Sequence, residues 1–213
     1  MLKKLRPIGR LFTFIFVVWG LYRLIFRLPE NVEEIVLKPL IWLVPTFYLV
    51  FKKEKRGMES LGYTNKNLKK SIGKGLIFSL FFLVVGISLN YLKNGFFSFG
   101  GIFSKDIFWP TVLLSFITAI SEETVFRGYI FNRMAEILKN DWLANLISSV
   151  GFCLVYLPIS VFVYHYNLPQ IFIFLTLTFL FSIGSGVLFS WTGSIWSSIL
   201  VHVFWAWPAI LVQ

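Results

Sequence analysis

The sequence is poor in the residues that build soluble enzymes. Only 14% of its 213 residues are charged, against about 25% in a typical soluble domain, and 57% are hydrophobic. The single cysteine, Cys153, excludes an internal disulfide. The chain has two histidines and no HExxH pattern, which argues against a zinc hydrolase. The absence of a glycine-rich phosphate loop and of a GxSxG motif argues against P-loop and α/β-hydrolase chemistry.

Long apolar blocks, rich in the 25 phenylalanines, take the place of those features. A block of about 20 apolar residues is long enough for a helix to cross a bilayer. We therefore expect an all-α, polytopic transmembrane helix bundle, in which Lys38, Pro39 and Pro45 make the second span a poor and kinked helix. The pattern predicts about seven spans, near residues 11–26, 35–51, 75–91, 108–132, 142–164, 171–191 and 195–212, with a helical extension of the fourth span to residue 138.

The net charge of +10 does not indicate a nucleic-acid partner, because the basic residues lie in connections between apolar blocks. Residues 52–74 form the main hydrophilic loop, with eight basic and two acidic residues. Basic segments stay on the cytoplasmic side of a membrane, so we predict that this loop and the N-terminus are cytoplasmic. The short acidic connection at residues 28–34 is expected outside. The predicted partner is the lipid bilayer.

Two adjacent carboxylates and an arginine interrupt an apolar stretch at membrane depth. Charge there costs about 2.5–3.5 kcal/mol per residue even on lenient insertion scales. Glu123 and Arg127 are four residues apart and can pair on a helix. Glu122 lies about 100° away around the helix axis and has no basic partner at that spacing. Glu122 is predicted to face a cavity as a general base; the alternative is a buried ion cluster that holds helices together.

His202 is the other polar residue predicted at membrane depth. It lies about 12 Å from the cytoplasmic end of its span, a depth similar to that of Glu122. Two helices can therefore present a carboxylate and an imidazole together, as an acid/base pair or as two metal ligands. The alternative is a hydrogen bond between helices. We predict no cofactor and no metal site; Glu122 and His202 are the ligands if a metal binds.

Residues 122–128 resemble the EExxxR motif of the CPBP family. These are the CAAX-protease and bacteriocin-processing membrane proteins, also called the Abi family or type II CAAX prenyl endopeptidases. The similarity covers about residues 109–207 and includes the segments 148–152 and 191–196 that precede His202. It implies a four-helix CPBP-like core at residues 108–213, preceded by N-terminal spans and the basic loop at residues 1–107.

The resemblance also implies roles for single residues. In the family the first glutamate activates water and the second pairs with the arginine, which makes Glu122 the base and Glu123–Arg127 a structural ion pair. The motifs FxxxH and HxxxN supply two histidines and an asparagine that binds the oxyanion. Here Tyr156 stands in place of the first histidine and Ala206 in place of the asparagine. Tyr156 can donate a hydrogen bond but is a poor proton carrier near neutral pH.

Three functions follow from these observations. The family resemblance implies an intramembrane endopeptidase, a hydrolase that cuts a membrane-associated or lipidated peptide in a bacterial cytoplasmic membrane. The substitutions Tyr156 and Ala206 keep open a catalytically degenerate relative that acts as a membrane-embedded binding, immunity or maturation factor for a membrane protein partner. A small proton-coupled transporter using Glu122 and His202 is disfavoured, because the sequence predicts no further acid inside the spans.

Overall fold

The computed structural model describes residues 2–26, 28–95 and 105–211, without the side chains of residues 2, 90, 92–94, 105–107 and 208–211. The predicted outer connection at residues 92–107 lies largely outside this part of the chain. The described residues form seven long helices, one short 3₁₀ turn and no strand. The helices are α1 (Leu2–Ile25), α2 (Glu30–Lys53), α3 (Leu68–Asn94), α4 (Lys105–Glu123, continuing through Thr124–Phe131 and Asn132–Leu138), α5 (Asp141–Phe162), α6 (Leu168–Thr192) and α7 (Ile195–Leu211).

Five of these helices, α1, α2, α3, α5 and α6, are long and apolar enough to cross a membrane. Helix α7 is apolar over the shorter stretch Ile195–Trp207, and α4 holds the charged residues singled out in the sequence. The predicted all-α, polytopic fold is confirmed, and the chain is an integral membrane protein.

Helix α2 passes Pro39 without breaking, because the turn before it widens. Proline has no N–H to donate and crowds the carbonyl four residues earlier. The segment Glu33–Leu37 is π-helical, and the Lys38 N–H bonds to the carbonyl of Glu33, five residues back. This turn places Glu33, Glu34 and Lys38 all in the interior, where they are 4%, 7% and 4% exposed.

The prediction of an acidic outer connection at residues 28–34 is therefore wrong for its last two acids. Glu33 and Glu34 belong to α2 and are buried. They are tolerated there because Arg23 of α1 forms ion pairs with both, and Lys38 forms one with Glu34. Charge in the interior of a membrane bundle needs such partners.

The helices that carry the predicted site residues pack closely. Helix α3 lies along α7, α5 lies on α6, and α7 also contacts α4 and α6. Small residues allow the close approach of α5 and α6: a Cβ atom added to Gly186 would lie 1.9 Å from Asn145 Oδ1. Helices α4, α5, α6 and α7 thus pack together and bury Glu122, Glu123 and His202.

The loop after α2 is folded against the ends of the site helices. Arg133 of α4 forms an ion pair with Glu54, with Nε 2.8 Å from Oε2. The Gly62 carbonyl accepts a hydrogen bond from the Ile195 N–H at 2.9 Å and satisfies one of the free amides that begin α7. Gly62 has φ of +83°, and a Cβ atom there would lie 2.6 Å from the Phe189 ring. The loop fixes the relative positions of α4 and α7.

Candidate functional site

Glu122 and Glu123 end the α-helical part of α4, directly before the π-helical segment Thr124–Phe131. Widened turns of this kind recur at functional sites. Both glutamates are buried, with 1% and 0% exposure. Since neighbouring positions point about 100° apart on a helix, the two carboxylates face different sets of neighbours, although both contact His202.

Glu123 contacts groups from two other helices as well as its own. Arg127 Nε lies 3.1 Å from Glu123 Oε2, which is the contact that the four-residue spacing predicts. Ser185 of α6 donates to the same oxygen at 2.9 Å, and His202 Nδ1 of α7 lies 2.7 Å from Oε1. Glu123 therefore joins α4 to α6 and α7 at one point.

Arg127 has further partners that fix its position. Its Nη2 donates to the carbonyl and to the hydroxyl of Ser182, at 3.0 and 2.9 Å. The guanidinium lies 4.7 Å from the centre of the Phe152 ring, a cation–π contact. Arg127 is thus held against Glu123 and α6.

Glu122 is contacted by three groups from three different helices. Lys38 Nζ of α2 donates to Oε1 at 2.7 Å, and the Tyr156 hydroxyl of α5 donates to Oε2 at 2.7 Å. His202 Nε2 lies 3.7 Å from Oε2. The structure brings together Glu122, Tyr156 and His202, the three predicted catalytic residues.

The orientation of His202 follows from its carboxylate neighbour. A carboxylate can only accept, so Nδ1 donates its proton to Glu123, and Nε2 is turned toward Glu122. The rings of Phe152 and Phe181 flank the imidazole, with centroids 6.2 and 5.0 Å away. One glutamate orients the histidine, and the histidine presents its other nitrogen to the second glutamate.

Lys38 is the site residue that sequence reasoning missed. Glu122 has no basic partner four residues along its own helix, as the spacing predicts, but that argument considers one helix alone. The ammonium comes from α2, which lies 84 residues earlier in the chain. The sequence did contain an indication of this role, because Lys38 is a charged residue inside a predicted span. A charged residue at membrane depth needs a partner or a function, and this holds for Lys38 as it does for Glu122.

A buried ion network extends from this pair to the end of α1. It consists of Arg23, Glu33, Glu34, Lys38 and Glu122, joined by the ion pairs Arg23–Glu33, Arg23–Glu34, Lys38–Glu34 and Lys38–Glu122. The sequence-based argument against a transporter, that no further acids lie in the spans, is therefore wrong.

The loop at residues 54–67 also contacts the π-helical segment. The Tyr63 hydroxyl lies 2.6 Å from Thr124 Oγ1, one residue beyond Glu123. Burial raises the pKa of the Tyr63 phenol, so its proton remains available for this hydrogen bond at neutral pH. The contact anchors the start of the widened turn.

The chemistry available at the site is that of a carboxylate, an oriented imidazole, a phenol and an ammonium. In the described ranges no group of three or more His, Cys, Asp or Glu side chains is placed to hold a metal ion. A cavity of about 230 Å³ lies between Leu68 of α3, Phe116 of α4 and Ile199 of α7, and Glu122 does not line it. The arrangement at Glu122 suits acid/base work.

The structure thus combines an all-α membrane bundle with a buried Glu–Glu–Arg group and a histidine against both glutamates. Residues 104–208 match the sequence model of a family described as type II CAAX prenyl endopeptidase Rce1-like. This segment, 105 of the 213 residues, is similar to that family, and the match confirms the resemblance drawn from the EExxxR motif. No curated protein and no solved structure was found to match the chain.

Proposed function

We propose that the chain is an intramembrane endopeptidase of the CAAX-protease type, in which Glu122 is the general base. The observation that supports this most strongly is the 3.7 Å separation of Glu122 Oε2 from His202 Nε2. His202 is held in this position by Glu123 at 2.7 Å. A base with a second, oriented acid/base group beside it is the arrangement that proton transfer to and from water requires.

The reaction is peptide hydrolysis. Glu122 takes a proton from a water molecule while the water oxygen bonds to the peptide carbonyl carbon, which places a negative charge on the carbonyl oxygen. The C–N bond then breaks, and the proton held by Glu122 passes to the departing amine nitrogen. A positioned general base contributes about 10²–10⁴-fold to such a rate.

The proposed substrate is a membrane-associated, lipidated peptide, because the family description names prenyl endopeptidases. Tyr156 is partly exposed, whereas Glu122, Lys38 and His202 are buried. We propose that the substrate approaches beside Tyr156, between α5 and α6. The Phe174 ring of α6 packs against the Tyr156 ring there, with ring centroids 6.0 Å apart. Entry from the bilayer suits a substrate held by a lipid.

For the orientation we propose that the N-terminus and residues 52–74 are cytoplasmic, in a bacterial cytoplasmic membrane. Both segments are basic, and the proposal involves no nucleic acid.

One observation favours a second candidate, the catalytically degenerate relative that binds a membrane protein partner. Both carboxylate oxygens of Glu122 are hydrogen-bonded, one by Lys38 and one by Tyr156. Ala206, one turn beyond His202, supplies no donor for an oxyanion. In this alternative the buried charges only set how the helices pack.

The two candidates are separated by Glu122→Gln, which keeps the shape of the side chain but cannot accept a proton. Peptide termini of membrane proteins are compared by mass spectrometry in native cells that carry the wild-type chain, Glu122→Gln or no chain. The peptidase predicts termini that require the wild-type chain and disappear in Glu122→Gln. Glu136→Gln on the same helix is the matched control, since Glu136 is 43% exposed, and should leave them unchanged. If Glu122→Gln and wild type give the same termini, the chain is not a glutamate-dependent peptidase.

A further inference from the structure

We infer that Lys38 is a catalytic residue, the positively charged hydrogen-bond donor that stabilises the carbonyl oxygen during hydrolysis. The inference rests on the proposed function. Lys38 lies outside the segment 104–208 that matches the family, so nothing in that match assigns it a role.

The reaction requires such a donor. Negative charge builds up on the carbonyl oxygen, and donors 2.7–3.1 Å from that oxygen are each worth about 10²–10³-fold in rate. The position one helical turn after His202, where the resemblance implies an asparagine, is Ala206. A methyl group has no proton to donate, so another residue must serve if the site is active.

Lys38 has the position, the charge and the surroundings for this task. Its Nζ is 2.7 Å from Glu122 Oε1. When a water molecule held by Glu122 attacks the peptide carbonyl carbon, the carbonyl oxygen of that peptide lies beside the ammonium. The lysine side chain is 5% exposed, and a charge interacts more strongly in a site from which water is excluded. The rings of Trp19 and Trp42 lie 5.6 and 5.8 Å from Nζ and favour a cation there.

The number of protons on Nζ also fits. A lysine ammonium carries three N–H groups. Among the described residues its hydrogen-bonded acceptors are Glu34 and Glu122, which leaves one N–H for a substrate oxygen. Glu34 lies one helical turn before Lys38 in α2 and holds the ammonium in place when a substrate oxygen competes with Glu122.

Most other donors of the site are directed elsewhere. Arg127 uses Nε and Nη2 for Glu123 and Ser182, and the Nδ1 proton of His202 is donated to Glu123. Arg127 Nη1 is buried without a hydrogen-bond partner in the described ranges, but its guanidinium is held on Glu123 and Ser182. Tyr156 donates to Glu122 Oε2 as a neutral phenol. Lys38 is thus the cation that contacts Glu122 within the described chain, and it brings the α1–α2 pair of helices into the active site.

The test measures how fast the Glu122-dependent termini form in isolated membranes. Lys38→Met keeps the length of the side chain and removes the ammonium; we expect the rate to fall about 10²–10³-fold. Lys52→Met, an exposed position on the same helix, is the matched control and should keep the wild-type rate.

If Lys38→Met fails to accumulate, Glu34→Gln with Lys38→Met removes one carboxylate along with the ammonium, which is less costly than leaving a buried charge unpaired.

A rescue experiment distinguishes a catalytic donor from a merely structural cation. Adding Ala206→Asn to the Lys38 variant places an amide donor one turn from His202, and we expect it to restore part of the rate without changing the thermal midpoint. The same change cannot rescue Glu122→Gln. A wild-type rate in a folded Lys38 variant overturns the role of Lys38 and leaves the peptidase intact. A loss of rate that Ala206→Asn leaves unrelieved shows a structural role and overturns it too. Termini unchanged in Glu122→Gln overturn both proposals.

Discussion

The buried pair Glu123–Arg127 gives the clearest prediction about stability. The two side chains are 0% and 2% exposed, so water cannot solvate the partner that remains when one is removed. Arg127→Met replaces the guanidinium by an apolar side chain of similar length, which limits the cavity. Glu123 is then left with His202 and Ser185 as its hydrogen-bond partners.

The expected loss is about 3–5 kcal/mol, because breaking a buried ion pair leaves an uncompensated charge. For a chain of this size each kcal/mol shifts the melting temperature by about 2–4 °C, so Tm should fall by about 6–20 °C. The double variant Glu123→Gln with Arg127→Met removes both charges and should recover part of that loss. The Tm of each variant is measured by thermal unfolding of the purified protein in detergent, followed by a fluorescence signal that does not depend on the free thiol of Cys153.

Arg56 is the matched control, since it pairs with Glu136 at 2.7 Å but both side chains are 43% exposed. An exposed pair contributes about 0–1 kcal/mol, so Arg56→Met should change Tm by at most a few degrees. Equal effects of the two arginine substitutions would contradict the argument from burial. A double variant less stable than Arg127→Met would show that the unpaired Glu123 carboxylate is not the cause of the lost stability.

Two further predictions concern topology and packing. The topology is tested with a cysteine at the exposed position Lys66 in a chain whose Cys153 is replaced by serine. This cysteine should resist a membrane-impermeant thiol reagent in intact cells and react with it after lysis. Labelling in intact cells would refute a cytoplasmic loop. Gly186→Ala should destabilise the protein by about 1–3 kcal/mol, since the new Cβ meets Asn145 Oδ1 at 1.9 Å, as thermal unfolding would show. Gly73→Ala, where nothing lies within 4 Å, should be neutral or stabilising.

The contact between Glu123 and Arg127 could be predicted because it is local. Residues four apart on one helix are neighbours whatever the rest of the chain does, and the helix itself follows from the apolar run around them. The meeting of Glu122 with His202 was also predictable, since depth in a membrane is read from the number of residues to the helix end. What these residues do remains a prediction.

The tertiary structure alone decided that Glu122 has a cation beside it. A sequence gives the depth of a side chain in the bilayer but not the rotation of its helix about its axis, and rotation decides which helices face each other. In α2 the rotation depends on the π-helical turn before Pro39, which brings Glu34 and Lys38 into the interior. The sequence by itself determined a membrane bundle with a charged core; the packing of α2 against α4 determined that Lys38, from outside the family segment, completes the surroundings of Glu122.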